Sequence, residues 1–116
     1  MGIGNLQIAK VQQIPAEVFD TAECLVAAFR PERIYLFGSV ARGDGTPDSD
    51  YDFMVIVTES PLPQYRRSQQ AHRALADFHK AKDVLVWTRA EFDRRVGLAA
   101  SLPAAILREG ILLYGR

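Results

Sequence analysis

Cysteine is nearly absent from this chain. Cys24 stands alone among 116 residues, so no internal disulfide can form, and a reducing compartment suits the protein. Long apolar runs are missing as well, which excludes a membrane-spanning helix. The opening Met1-Gly2-Ile3-Gly4-Asn5 has neither a basic n-region nor an apolar h-region, so no signal peptide is expected. Together these absences predict a cytoplasmic protein without a membrane partner. An excess of either charge is lacking too: Lys plus Arg and Asp plus Glu each total 14, giving a net charge of zero. A strongly basic nucleic-acid-binding surface is therefore not expected, although a local patch is compatible with the balance. Repeats and low-complexity segments are also missing.

What is present is an ordinary globular composition, 48% hydrophobic and 24% charged. The length suits one domain over residues 1–116 and is too short for two. A core of that size carries a fold without staples. Along the chain, Pro15 sits in the first turn of a helix whose apolar face is Val18, Ala22, Leu25, Val26 and Phe29. Arg30-Pro31 ends it, because a residue before proline is pushed out of the α region. Residues 34–37 read as a short strand, 38–49 as a loop with one helical turn at 39–42, and 50–57 as a second strand. Both faces of that second strand are apolar, so it is central and buried. Pro61 and Pro63 open a helix running to about Lys80, with Tyr65, Ala71, Leu75 and Phe78 inward. A third strand follows at 83–88, then helices at 90–96 and 103–108, a C-cap at Gly110 and a last strand at 111–114. This order predicts an α+β protein, a small mixed β-sheet packed with α-helices.

The chemistry concentrates between Phe37 and Phe53. Asp50 and Asp52 are two apart at the start of the central strand, so both carboxylates point to one side. Like charges repel and bury poorly where an ordinary core would carry Val or Ile. A bound divalent cation is the natural compensation: Mg²⁺ takes hard oxygen ligands, usually one or two carboxylates plus substrate phosphates. Gly38 ends the preceding strand and lets a phosphate approach the backbone. Ser39 offers a hydroxyl and an N–H at the start of a helical turn, and Arg42, one turn on, offers a charge-assisted contact. Asp83 opens the third strand. If that strand lies beside the second, its carboxylate reaches the same end of the sheet, to complete a metal site or take a proton from an attacking hydroxyl.

Gly38-Ser39, ten residues, then Asp50-Tyr51-Asp52 resembles the signature of the polymerase-β-type nucleotidyltransferase superfamily. The string FGSVARGDGTPDSDYDFMV is similar to that of its minimal nucleotidyltransferase (MNT) branch, as are KDVLVWTRAEF and REGILLYG further on. The resemblance covers roughly residues 34–115. It implies the polymerase-β-like nucleotidyltransferase fold and Mg²⁺-dependent transfer of a nucleoside monophosphate from ATP or another NTP. It further implies that Asp50, Asp52 and Asp83 are the catalytic, metal-binding carboxylates. Ser39 would contact the nucleotide phosphates, beside the Gly38 and Arg42 read above as phosphate-binding. MNT proteins often accompany a helical HEPN partner in pairs resembling toxin–antitoxin modules, in which the MNT protein adenylylates its partner.

Other residues read as structural. Arg42 and Asp44 are equally able to pair with each other at the surface. His72 and His79, seven apart on one helix, would lie about 10 Å apart, too far to share an ion. Arg66, Arg67 and Arg73 read as a solvated helix face, Cys24 and Trp87 as core, and Tyr51 and Phe53 as packing residues facing away from the carboxylates. Two functions stay open: an enzyme moving AMP onto a protein or small acceptor, or a non-catalytic nucleotide-binding module that masks a HEPN partner. The length disfavours a templated polymerase. The pattern sets neither base preference nor oligomeric state, a homo-oligomer included.

Overall fold

The computed structural model describes residues 14–80 and 82–115. The stretch on which the reading of a missing leader rests lies outside the described residues. The elements are α1 (Ala16–Phe29), β1 (Arg33–Phe37), α2 (Gly38–Arg42), β2 (Tyr51–Val57), α3 (Gln64–Ala74), β3 (Lys82–Thr88), α4 (Arg89–Val96), α5 (Leu102–Glu109) and β4 (Ile111–Tyr114). The strands form one sheet in the order β3-β2-β1-β4, with β1 antiparallel to both β2 and β4 and β2 parallel to β3. The expected small mixed sheet with packed helices is what forms.

Each face of the sheet has its own core. On one, Ile34, Leu36, Phe53, Val55, Val84 and Val86 pack with Val18 and Leu25 of α1, Ala71 of α3, and Leu75. On the other, Tyr35, Met54, Ile56 and Trp87 meet Phe92 of α4 and Ile106 of α5, with the Tyr35 and Phe92 rings stacked 6.1 Å apart. β2 is therefore apolar on both sides, as an interior strand covered by helices must be. The Cys24 thiol donates to the Ala74 carbonyl at 3.2 Å and so joins α1 to α3. α1 ends at Arg30, whose φ of 48° is left-handed, and whose N–H donates to the Val26 carbonyl at 2.8 Å. The proline after it thus drives Arg30 across to the αL well rather than into extended backbone.

The second long helix departs from its expected form. α3 stops at Ala74, not near Lys80, and Leu75 caps it. A turn closed by the Phe78 N–H to the Leu75 carbonyl, 3.0 Å, then brings Phe78 back against the core. Burying Leu75 and Phe78 together while returning the chain to the start of β3 requires that turn. The inward face runs through Arg67, Ala71 and Leu75, spaced i, i+4, i+8, whereas Tyr65 is 62% exposed. His79 lies past the helix, so the shared-face argument for the two histidines lapses, and both are exposed.

Arg67 is the larger correction. It is 5% exposed, not on a solvated face. Its guanidinium donates to the carbonyls of Leu62 and Val86, both at 2.8 Å, and to the Glu91 carboxylate at 2.8 and 3.3 Å. Glu91 in turn accepts from the Thr88 N–H at 2.7 Å, while Thr88 Oγ1 accepts from the Glu91 N–H at 3.2 Å. This capping box starts α4. One buried cation therefore ties α3 to the end of β3 and to the first turn of α4.

Candidate active site

Three strand termini meet at one edge of the sheet. β1 is antiparallel to β2, so its last residue lies beside the first residues of β2, and β3, parallel to β2, begins there too. Phe37 pairs with Asp52, and Asp52 pairs with Asp83. Side chains alternate, so Asp52 and Asp83 share the face of Met54, Ile56 and Trp87, while Tyr51, Phe53 and Val84 belong to the opposite core. The structure thus brings Asp83 next to Asp52, from 31 positions further along the chain.

Asp52 is half-buried, whereas Asp83 and Asp50, the latter one residue before β2, are exposed. Burial, then the charges of Asp83 and Asp50, push the Asp52 carboxyl above its ordinary pKa, and Arg42 pulls the other way. Convergent carboxylates at a partly desolvated strand end favour a cation among them. Among the described residues, no three His, Cys, Asp or Glu side chains are gathered tightly enough to hold an ion unaided. The Asp52–Asp83 pair offers hard oxygen donors of the kind Mg²⁺ takes, one or two carboxylates with substrate phosphates and water supplying the rest of the shell.

Gly38 follows Phe37 with φ +77°, the left-handed region. A Cβ placed on it would land on Asp52 Oδ2, inside van der Waals distance. The bare Cα therefore seats the carboxylate itself, a closer duty than the phosphate access read from the sequence. Gly38→Ala is expected to lower stability by ~1–2 kcal/mol from backbone strain and to displace Asp52. Transfer activity should then fall much further than the thermal midpoint. A variant with native activity would show that the carboxylate does not need this seat.

Ser39 and Arg42 lie on α2, and its N-cap residue, Phe37, provides no side-chain cap to the first N–H groups. Gly43, with φ +86°, closes α2, its N–H donating to the Val40 carbonyl at 3.2 Å. A turn in which the Thr46 N–H donates to Ser49 Oγ at 2.8 Å then leads to Asp50. Arg42 is 44% exposed and lies 3.5 Å from Asp44 and 3.8 Å from Glu109 of α5. Exposed pairs of this kind contribute ~0–1 kcal/mol, so Arg42 can leave them for a phosphate. Glu109 carries no local signal in the sequence, and only the docking of α5 brings it here. A cavity of about 280 Å³ opens behind the glycine loop, lined by Val40, Ala41, Pro47, Tyr51 and Lys80, on the far side of β2 from the carboxylates.

The profile of the nucleotidyltransferase domain family matches residues 20–113. The fold is similar to that of a Sulfolobus solfataricus protein assigned as a nucleotidyltransferase, with 21% identity, TM-score 0.64, and coverage of 95% of this chain and 87% of that one. It is also similar to a chain of a toxin–antitoxin structure with AMP-PNP, with 22% identity, TM-score 0.52, and coverage of 84% and 73%. At such identities the likeness establishes the fold. No curated protein resembles the chain closely enough to count as a relative.

Proposed function

Because the chain belongs to the nucleotidyltransferase domain family, we propose that it moves a nucleoside monophosphate, AMP from ATP, onto a protein or small acceptor in a Mg²⁺-dependent reaction. The observation that carries this reading is the register pair Asp52–Asp83, with Asp52 seated against Gly38, the first residue of α2, and Ser39 directly after it. Asp50, Asp52 and Asp83 would hold the cation, which supplies charge stabilisation at the transferring phosphorus. Ser39 would hold a phosphate through its hydroxyl and N–H, and Arg42 would swing from Asp44 to balance the pyrophosphate as it leaves. Asp83, exposed beside Asp52, would accept the proton of the attacking hydroxyl. Each task is positioning or electrostatics, the two means by which phosphoryl-group chemistry is accelerated.

For the acceptor, a helical HEPN protein made beside this one is the reading that the motif resemblance and the toxin–antitoxin neighbour support. No helix of the described residues is long and apolar enough to cross a membrane, in keeping with action in the cytoplasm. A second reading, masking of the partner without transfer, is favoured by one observation. Leu107 on α5 and Leu112 and Tyr114 on the edge strand β4 are 50%, 40% and 41% exposed, apolar side chains open to a protein partner.

The test incubates the chain with ATP labelled at the α-phosphate, Mg²⁺ and the product of the adjacent gene. Label is expected on the partner protein, and EDTA should abolish it. Tight partner binding with no label under any metal condition would replace the enzyme with the masking module.

A further inference from the structure

Lysine is among the residues least often buried, yet the Lys82 side chain is only 4% exposed. It occupies the first position of β3, directly before Asp83, and pairs in register with Tyr51, directly before Asp52. Its face is that of Val84 and Val86, behind the sheet from the carboxylates. There the Lys82 ammonium donates to the Lys80 carbonyl at 2.6 Å and lies 3.5 Å from Glu17 Oε1 of α1. The Phe78 ring centroid is 4.9 Å away and that of Tyr51 6.0 Å.

Register explains why such a group would sit here. Both partner strands are apolar on both faces over most of their length, Phe53 to Val57 in β2 and Val84 to Trp87 in β3. A hydrophobic pattern of that kind specifies register weakly, because a slip still places apolar side chains on each side. A slip of one residue would nonetheless turn Asp83 to the rear and bring Lys82 beside Asp52. A slip of two would keep the face but part the carboxylates by about 6.6 Å. The polar residues at the start of β3 are what distinguish these registers, and an ion pair with one buried and one partly exposed member suits that use.

The geometry points to Lys82 as a positioning residue: anchored to Glu17 of α1, it fixes the start of β3 so that Asp83 stands opposite Asp52. The inference rests on the proposed function only in taking those two carboxylates as the working pair. The Lys82–Glu17 bond is the sole link between the start of β3 and α1 among the ion pairs of the described residues.

The test reads position directly. In a Cys24→Ala background, Asp52→Cys and Asp83→Cys form a disulfide only when the two residues face each other across β2 and β3. Mild oxidation is followed with Lys82 present and with Lys82→Met, an apolar replacement of similar length. Crosslinking is expected to slow ~10-fold with Lys82→Met. Glu17→Gln, on a partly exposed residue that leaves the core intact, is expected to slow it in the same direction. In the otherwise native chain, Lys82→Met should weaken Mn²⁺ binding, read by electron paramagnetic resonance, ~10-fold and lower kcat ~10–100-fold, with KM for ATP and the thermal midpoint nearly unchanged. An unchanged crosslinking rate in both variants would overturn the assignment. A slowed rate in a chain that transfers no nucleotide would keep Lys82 in its role and remove the proposed reaction instead.

Discussion

Asp52→Asn is expected to lower kcat for nucleotide transfer by about 10³-fold or more while leaving the protein folded. The size follows from what the carboxylate does. Removing a single neutral hydrogen-bond donor from a preorganised site already costs ~10²–10³-fold, and Asp52 carries a full charge at the centre of the cluster, beside Asp83 in register and influenced by Asp50. Asparagine keeps the shape, so it still fills the space against Gly38. Stability should move the other way. Burial, then the charges of Asp83 and Asp50, raise the Asp52 pKa, which means that holding its charge costs more in the folded chain than in the unfolded one. Neutralising it relieves that cost, and the thermal midpoint is expected to hold or rise, a common trade between activity and stability. Measuring label transfer and thermal unfolding on one preparation checks both halves. A variant that keeps transferring would remove Asp52 from the chemistry, and one that loses activity together with its fold would show the residue to be structural.

Arg67→Ala is expected to be the most destabilising single change, at about 3–5 kcal/mol, the range for breaking a buried ion pair from one side. The reason is the number of groups left behind: the Leu62 and Val86 carbonyls lose a charged donor, and the Glu91 carboxylate loses both of its bonds to the guanidinium. At roughly 4 °C per kcal/mol for a chain of this size, the midpoint should drop by ~12–20 °C. Arg67→Lys restores charge without the planar fork and should recover only part of the loss. The network also predicts a pH dependence. The hydrogen bond from Arg67 is the largest cause lowering the Glu91 pKa, from 4.5 to about 2. A carboxyl whose pKa is lower folded than unfolded contributes stability that is present above 4.5 and lost as pH falls from 4.5 toward 2. Acid unfolding curves of the native chain should show that loss, and Arg67→Ala should flatten it. A flat curve in the native chain would mean that the pair is not stabilising.

Asp50, Asp52 and the Gly38-Ser39 pair were legible because they lie close together in sequence, where strand alternation and turn chemistry act over a few residues. Asp83 was legible only with the added assumption that β3 lies beside β2. Arg67 was misread because its neighbours in sequence, Arg66 and the exposed Tyr65, look like a solvated face, and Glu91, which accepts from it, is 24 positions away. Helix phase alone could have signalled it: Arg67 is in line with Ala71 and Leu75.

The sequence by itself determined the element order, the apolar character of both faces of β2 and the family, since each depends on local periodicity or on a compact motif, and it nominated the carboxylates on which the proposed function rests. Tertiary structure alone decided the end of α3 at Ala74, the burial of Arg67 and Lys82, the approach of Glu109 to Arg42, and the seating of Asp52 against Gly38. Those outcomes depend on which distant surfaces meet. A buried charge or a missing Cβ acquires its meaning only from the partner that packing places beside it.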